Sequence, residues 1–246
     1  MSHGMQAATS EFAPLLQLEN VSAGYNQFRA LFDLSIDIER GKAVALIGPN
    51  GAGKTTVARV ASGLIVPTAG RIAIGGVDMT GQAPHRIARL GIAHAPEGRS
   101  IFASLTVEEN LALSFRQAFG RHGTRPALER AYELFPRLGE RRTQIAGSLS
   151  GGEQRMLTLA RVLVLEPKLL IADELSLGLA PIITTEVYRV LERILEAGTA
   201  LLLVEQHLDH ALGLAHEVIA LERGRIAFHG TPDEMDASAS FFLSET

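Results

Sequence analysis

The segment Gly48-Pro-Asn50-Gly51-Ala52-Gly53-Lys54-Thr55 fits the phosphate-binding pattern Gly-x4-Gly-Lys-[Ser/Thr]. Gly51 and Gly53 allow backbone turns that bring successive N–H groups against phosphate oxygens, where a Cβ would obstruct. The helix that follows would aim its free N–H groups and positive dipole end at the same anion. Lys54 adds a full charge toward the β and γ phosphates, and Thr55 stands where a hydroxyl can ligate Mg2+. Residues 50–56, Asn50 through Thr56, therefore form a nucleotide cradle.

A second set of groups suits hydrolysis. The apolar run Leu170-Ile-Ala ends in Asp173-Glu174, and in a nucleotide fold the C-terminal end of such a strand faces the phosphates. Asp173 suits Mg2+ binding. Glu174 suits a general base or water orienter, because γ-phosphoryl transfer needs mainly positioning and charge neutralisation. A third stretch, Leu149-Ser150-Gly151-Gly152-Glu-Gln154, puts serine and two glycines at a helix start and makes a second anion cradle by the same physics.

These groups must be carried on alternating strands and helices. Residues 43–47 (AVALI) are an apolar strand before the first cradle, and residues 55–62 have helical spacing after it. Residues 15–21 and 31–38 alternate as an antiparallel pair turning at residues 24–26. Residues 70–75 read as a strand, 85–90 as a short helix and 92–96 as a strand stopped by Pro96. From Thr106, which opens a capping box with Glu109, to about Leu138 the pattern is helical. A helix follows from residue 149 to about 165, a strand at 169–172, a helix at 182–197 and a strand at 200–204. The end holds a helix near Ala211, a hairpin turning at Arg223-Gly224 and a helix capped near Thr231.

Composition narrows the function. With 246 residues, 46% of them hydrophobic and 20% charged, the chain can bury a full core. Its formal net charge of -4 gives no nucleic-acid footprint. It has no cysteine, so disulfides and thiolate chemistry are excluded. No apolar run reaches the length of a membrane span, and the opening MSHGMQAATSEF lacks the features of a secretory signal. None of Asn20, Asn26, Asn50 or Asn110 begins the Asn-Lys-x-Asp motif that would read guanine.

The order and spacing of these motifs from Leu15 to about Gly230 resemble the ABC transporter ATPases. Pro96-Glu97-Gly-Arg99, Leu149-Ser-Gly-Gly-Glu-Gln154, Ser176-Leu-Gly-Leu-Ala-Pro181 and Val204-Glu-Gln206 resemble the shorter ATPase subunit of branched-chain amino-acid, urea or amide uptake systems. The resemblance implies one α/β nucleotide-binding domain. It would have a P-loop, RecA-like core at about 15–97 and 161–246, an antiparallel β subdomain, and a helical subdomain at about 98–160. It implies ATP and Mg2+ as cofactors, with Glu97 joining Thr55 and Asp173 at the metal. Tyr25 would stack on adenine, with Phe28 as the substitute. Either Gln206 or His207 would contact the γ-phosphate; counting back five residues from Ala211 favours Gln206.

The resemblance also implies head-to-tail pairing, in which Ser150, Gly151 and Gly152 cover the partner's nucleotide. The partner is a different, longer ATPase subunit or a second copy of this chain. Two integral-membrane permease subunits would dock beside Glu97, Gly98 and Arg99, and a solute-binding protein would act indirectly. The setting is the cytoplasmic face of the cell (inner) membrane, as a peripheral subunit, with no nucleic acid. The competing function, a soluble ABC-type ATPase in DNA repair or translation, would typically carry a second copy or a long coiled-coil insertion, and the sequence has neither. Leu175 and Ala180 stand where the superfamily usually has proline and often aspartate.

Overall fold

A computed structural model describes residues 13–96, 98, 101–206 and 208–235. The chain builds two sheets. β1 (Leu16–Tyr25) and β2 (Phe28–Ile38) form a hairpin in which Tyr25 faces Phe28 across a two-residue turn. β4 (Ala69–Ile74) pairs with the other edge of β1, and β5 (Val77–Asp78), a strand too short to carry a sequence period, pairs with β4. The result is a four-stranded antiparallel sheet in the order β2-β1-β4-β5.

The second sheet has six strands. β3 (Ala43–Ile47), β6 (Ile92–Ala95), β7 (Leu169–Asp173), β8 (Ala200–Val204) and β9 (Glu217–Glu222) run parallel; β10 (Arg225–Gly230) returns antiparallel. The order is β10-β9-β3-β8-β7-β6. Every residue of β3, β7 and β8 is buried, as expected for parallel strands covered on both faces.

Strand alternation divides the interior into two cores. Val44, Leu46, Ile171, Leu202 and Val204 point toward the antiparallel sheet and α1 (Lys54–Ala61). Ala45, Ile47, Leu170, Ala172, Leu201 and Leu203 point to the opposite face. There they meet α3 (Val107–Leu134), α5 (Gly151–Leu163) and α6 (Pro181–Glu196). Small helices α2 (Pro84–Arg89), α4 (Pro136–Glu140) and α7 (Leu208–Leu214) complete the set.

The capping box between Thr106 and Glu109 is present, and α3 is broken at Gly120, whose φ of 68° is not helical. α5 runs through residue 160, so the expected boundary between helical subdomain and core falls inside one continuous helix. Among the described residues no helix is long and apolar enough to cross a membrane. Crucially for chemistry, the C-terminal ends of β3, β7 and β8 lie side by side.

Candidate functional site

The loop after β3 is closed from behind. The N–H of Ala52 donates to the Pro49 carbonyl (3.2 Å), and the Ala52 carbonyl accepts from the N–H of Gly224 (2.9 Å) in the β9–β10 turn. Gly53 caps α1 with φ 107°, and a Cβ there would stand 2.8 Å from Leu31 Cδ2 and 3.0 Å from the Ala30 carbonyl, so only glycine fits. At Gly51, with φ 79°, nothing lies within 4 Å of the Cβ position; this side of the loop opens to the cavity. No side chain caps α1 and no acid sits in its first turn, so its leading N–H groups can meet an anion.

Lys54 is buried, and its ammonium donates to the carbonyls of Gly48 (2.8 Å) and Pro49 (3.2 Å) while lying 3.8 Å from Glu174 Oε1. The Thr55 hydroxyl donates to Asp173 Oδ1 at 3.3 Å. Asp173 is 1% exposed, yet its Oδ2 has no hydrogen bond; 3.9 Å away lies His94 Nε2, equally unpartnered. The other ring nitrogen of His94 is 3.2 Å from Ser62 Oγ.

Glu174 follows β7 with φ 49°, left-handed and uncommon for a residue with a side chain. Its N–H donates to the Val204 carbonyl (2.8 Å), and its own carbonyl accepts from Arg155 Nη2 (3.1 Å). The geometry that turns its carboxylate toward Lys54 is therefore held from two elements.

A cavity of about 540 Å³ joins these groups. Its lining includes Tyr25, Asn50, Gly51, Gly53, Lys54, Thr55, Thr56, Glu174 and Gln206, together with Ala30 and Leu177. The volume suits a nucleotide-sized ligand. Tyr25 forms one wall, its hydroxyl accepting from Arg59 Nη1 (2.9 Å). Phe28 is 83% exposed and lies outside the lining. Ala52 supports the loop from beneath. Glu97, Arg99 and His207 lie outside the described residues.

Ser150, Gly151 and Gly152 line no part of this cavity. Ser150 caps α5 in a capping box with Glu153: the Ser150 N–H (2.9 Å) and hydroxyl (2.8 Å) donate to Glu153 Oε2. Arg141 binds the other oxygen of Glu153 at 2.6 Å. Burial alone would raise the Glu153 carboxyl, but the Ser150 donors and the Arg141 and Arg137 charges outweigh it and hold the pKa below its ordinary value. Around Gly151 the Cβ position is open, so this cradle faces outward.

Two further groups were not apparent from the sequence. Glu205, 2% exposed, accepts from the Ser176 N–H (3.2 Å), the Ser176 hydroxyl (2.7 Å) and the Tyr188 hydroxyl (3.0 Å). It ties the residue before Gln206 to the loop after Glu174. Arg155 is the other. An acid between a strand and Gln206, and an arginine inside the Ser150 helix, were visible in sequence, but their partners were not.

The chain matches the ABC transporter family profile over residues 31–176. It belongs to the ABC transporter ATP-binding family. This ABC ATPase is 42% identical over 219 residues to the high-affinity branched-chain amino acid transport ATP-binding protein BraG of Pseudomonas aeruginosa, covering 88% of the chain and 93% of the relative. A probable branched-chain amino acid transport ATP-binding protein, LivF of Archaeoglobus fulgidus, is 34% identical, with 90% and 94% covered. The lipopolysaccharide export system ATP-binding protein LptB of Escherichia coli is 32% identical, with 89% and 92% covered. Among solved structures, the ATP-binding subunit of an ABC transporter superposes with a TM-score of 0.80 at 30% identity, covering 94% and 95%.

The Mg2+ that this family implies can be tested against the residues present. Among the described residues no group of three or more His, Asp and Glu forms a metal cage. Mg2+ does not require one: it is commonly held by one or two protein oxygens together with substrate phosphates and water. The Thr55 hydroxyl beside Asp173, with one buried carboxylate oxygen unpaired, supplies hard oxygen donors of that kind.

Proposed function

We propose that this ABC ATPase is the ATP-hydrolysing motor of a membrane importer for branched-chain amino acids or a related small polar or amide solute. The observation that carries the reading is the 42% identity to BraG across nearly the full length of both chains, against 32% to the exporter subunit LptB.

In this reading the ATP phosphates take the place of the Gly48 and Pro49 carbonyls at the Lys54 ammonium. The amides of Gly51, Ala52 and Gly53 and the start of α1, with Thr55 and Thr56, surround the β and γ phosphates, while Asn50 borders the opening. Tyr25 stacks on adenine. Thr55 and Asp173 would hold Mg2+, with Glu97 as a further ligand, and the ion would supply charge neutralisation at the phosphates. Glu174 aligns the attacking water and draws its proton. Gln206 donates its amide N–H to the γ-phosphate, a contact that does not titrate; His207 is the alternative.

Ser150, Gly151 and Gly152 serve the nucleotide of a paired subunit, a different, longer ATPase or a second copy. The core at 15–97 and 161–246 carries the nucleotide and the helical subdomain at 98–160 carries the Ser150 cradle. Two permease subunits complete the complex, and the ATPase sits peripherally on the cytoplasmic face of the membrane.

The test is copurification from membranes with the permease and binding-protein partners, reconstitution into vesicles and measurement of labelled leucine uptake. Uptake should need ATP and be abolished by Glu174→Gln. ATP-driven export of preloaded solute, with no inward flux of leucine or a small amide, would contradict the importer.

A further inference from the structure

We infer that Arg155 is a positioning residue that makes the aim of the Glu174 carboxylate depend on the placement of α5, the helix that begins at Ser150. The inference rests on the reading of Glu174 as the hydrolytic carboxylate.

Arg155 is 7% exposed. Its Nη1 donates to the carbonyls of Pro96 (3.1 Å) and Gly98 (3.1 Å), and its Nη2 donates to the carbonyl of Glu174 (3.1 Å). One guanidinium thus reaches both residues flanking position 97, after β6, and the residue after β7. A planar fork with donors in fixed directions suits this task, because it sets the mutual orientation of its acceptors as well as their distance.

The Glu174 contact has the most direct consequence. At φ 49° this residue holds a sparsely populated backbone conformation, which persists only where its surroundings enforce it. The N–H is tied to Val204 on β8, and the carbonyl is tied to Arg155 on α5 and, more weakly, to the Leu177 N–H (3.4 Å) in the loop that follows. β8 belongs to the central sheet, whereas α5 begins at the outward-facing Ser150-Gly151 cradle. Rotation of α5 therefore alters a bond that holds the Glu174 backbone, and the same guanidinium carries the displacement to Pro96 and Gly98. Engagement of the Ser150 cradle by a paired subunit's nucleotide would in this way be felt at the chain's own hydrolytic carboxylate.

A packing role predicts something different. Arg161, on the same helix, is half-buried: its Nε donates to Ser114 Oγ (2.8 Å) and its guanidinium lies 5.4 Å from the Phe102 ring centre. It does not line the cavity and serves as the control.

The experiment compares wild type, Arg155→Gln, Arg155→Lys, Arg161→Gln and Glu174→Gln, well below each melting temperature. ATPγS affinity, KM and kcat are measured for each. Arg155→Gln should bind ATPγS within about threefold of wild type and lose at least about tenfold in kcat. Arg155→Lys keeps the charge but lacks the planar fork, and should fall between; it also serves if the glutamine variant does not fold. Arg161→Gln should melt lower with kcat unchanged.

Wild-type kcat in folded Arg155→Gln or Arg155→Lys, with Glu174→Gln inactive, overturns the inference alone. Full turnover in Glu174→Gln overturns the reading of Glu174 and this inference with it. Parallel losses of kcat and ATPγS affinity in both arginine variants would show a general packing defect and also overturn it.

Discussion

Glu205 has three donors and, among the described residues, no ion pair with a cation. Replacing it by alanine would leave the Ser176 N–H, the Ser176 hydroxyl and the Tyr188 hydroxyl facing a cavity. An unsatisfied buried donor costs about 1–3 kcal/mol. The Ser176 hydroxyl can rotate toward another acceptor, so Glu205→Ala should cost about 3–5 kcal/mol rather than the sum of three full penalties. Tyr188→Phe removes a single hydrogen bond to a charged group and should cost about 1.5–3 kcal/mol.

For a chain of this size about 1 kcal/mol moves the melting temperature by about 2–4 °C. Thermal denaturation should therefore show a fall of about 6–20 °C for Glu205→Ala and about 3–12 °C for Tyr188→Phe. The double variant should lose less than the sum, since removing both partners leaves fewer groups unpaired. Burial, followed by the Glu205 charge, raises the Tyr188 phenol above its ordinary range, so this hydroxyl remains a donor at neutral pH. A loss under about 1 kcal/mol for Glu205→Ala, or strictly additive losses, would refute the account of this network.

Tyr25→Ala should raise KM for ATP about 3- to 10-fold with kcat nearly retained, the loss of one stacking contact, whereas Phe28→Ala should change neither. Gln206→Ala should reduce turnover by orders of magnitude while His207→Ala is mild; the opposite ranking in a steady-state ATPase assay would assign the γ-phosphate contact to His207. Glu153→Gln keeps an acceptor for the Ser150 N–H but removes the charge that pairs with Arg141 and strengthens the Ser150 bonds, and should cost about 1 kcal/mol at pH 7 in urea unfolding. Because the folded pKa of Glu153 lies below its unfolded value, this stability is present above the unfolded carboxyl range near about 4.3. It disappears as pH falls through the folded pKa, so wild type and variant should converge in acid.

Much of this architecture was legible in the chain because the relevant signals are local. AVALI at 43–47, ending at Gly48-Pro49, and ALLLV at 200–204, between Thr199 and Glu205, are sharply bounded apolar runs, and both became central strands. The Thr106–Glu109 box and the Arg223-Gly224 turn each lie within a few residues and formed as expected. Other features escaped because their cause is long-range. β5 is two residues, and its strand pairing is with β4. β1 and β2 have irregular register, with positive φ at Asn20 and Asp33, whose side chains hydrogen-bond across the hairpin. Glu205 finds Ser176 across 29 residues, and Arg155 finds Pro96 across 59. No periodicity encodes such meetings, which exist only once the sheet has brought β6, β7 and β8 together.

The central claim is that hydrolysis depends on the Glu174 carboxylate in a cavity whose nucleotide affinity comes from Lys54 and its loop. The most direct measurement is ATP binding and single-turnover hydrolysis on the same preparations of wild type, Glu174→Gln and Lys54→Ala. Glu174→Gln should bind ATP as tightly as wild type and fall by at least about 100-fold in hydrolysis, while Lys54→Ala should lose binding itself. Hydrolysis in Glu174→Gln within a few fold of wild type, or undiminished ATP affinity in Lys54→Ala, would contradict the account.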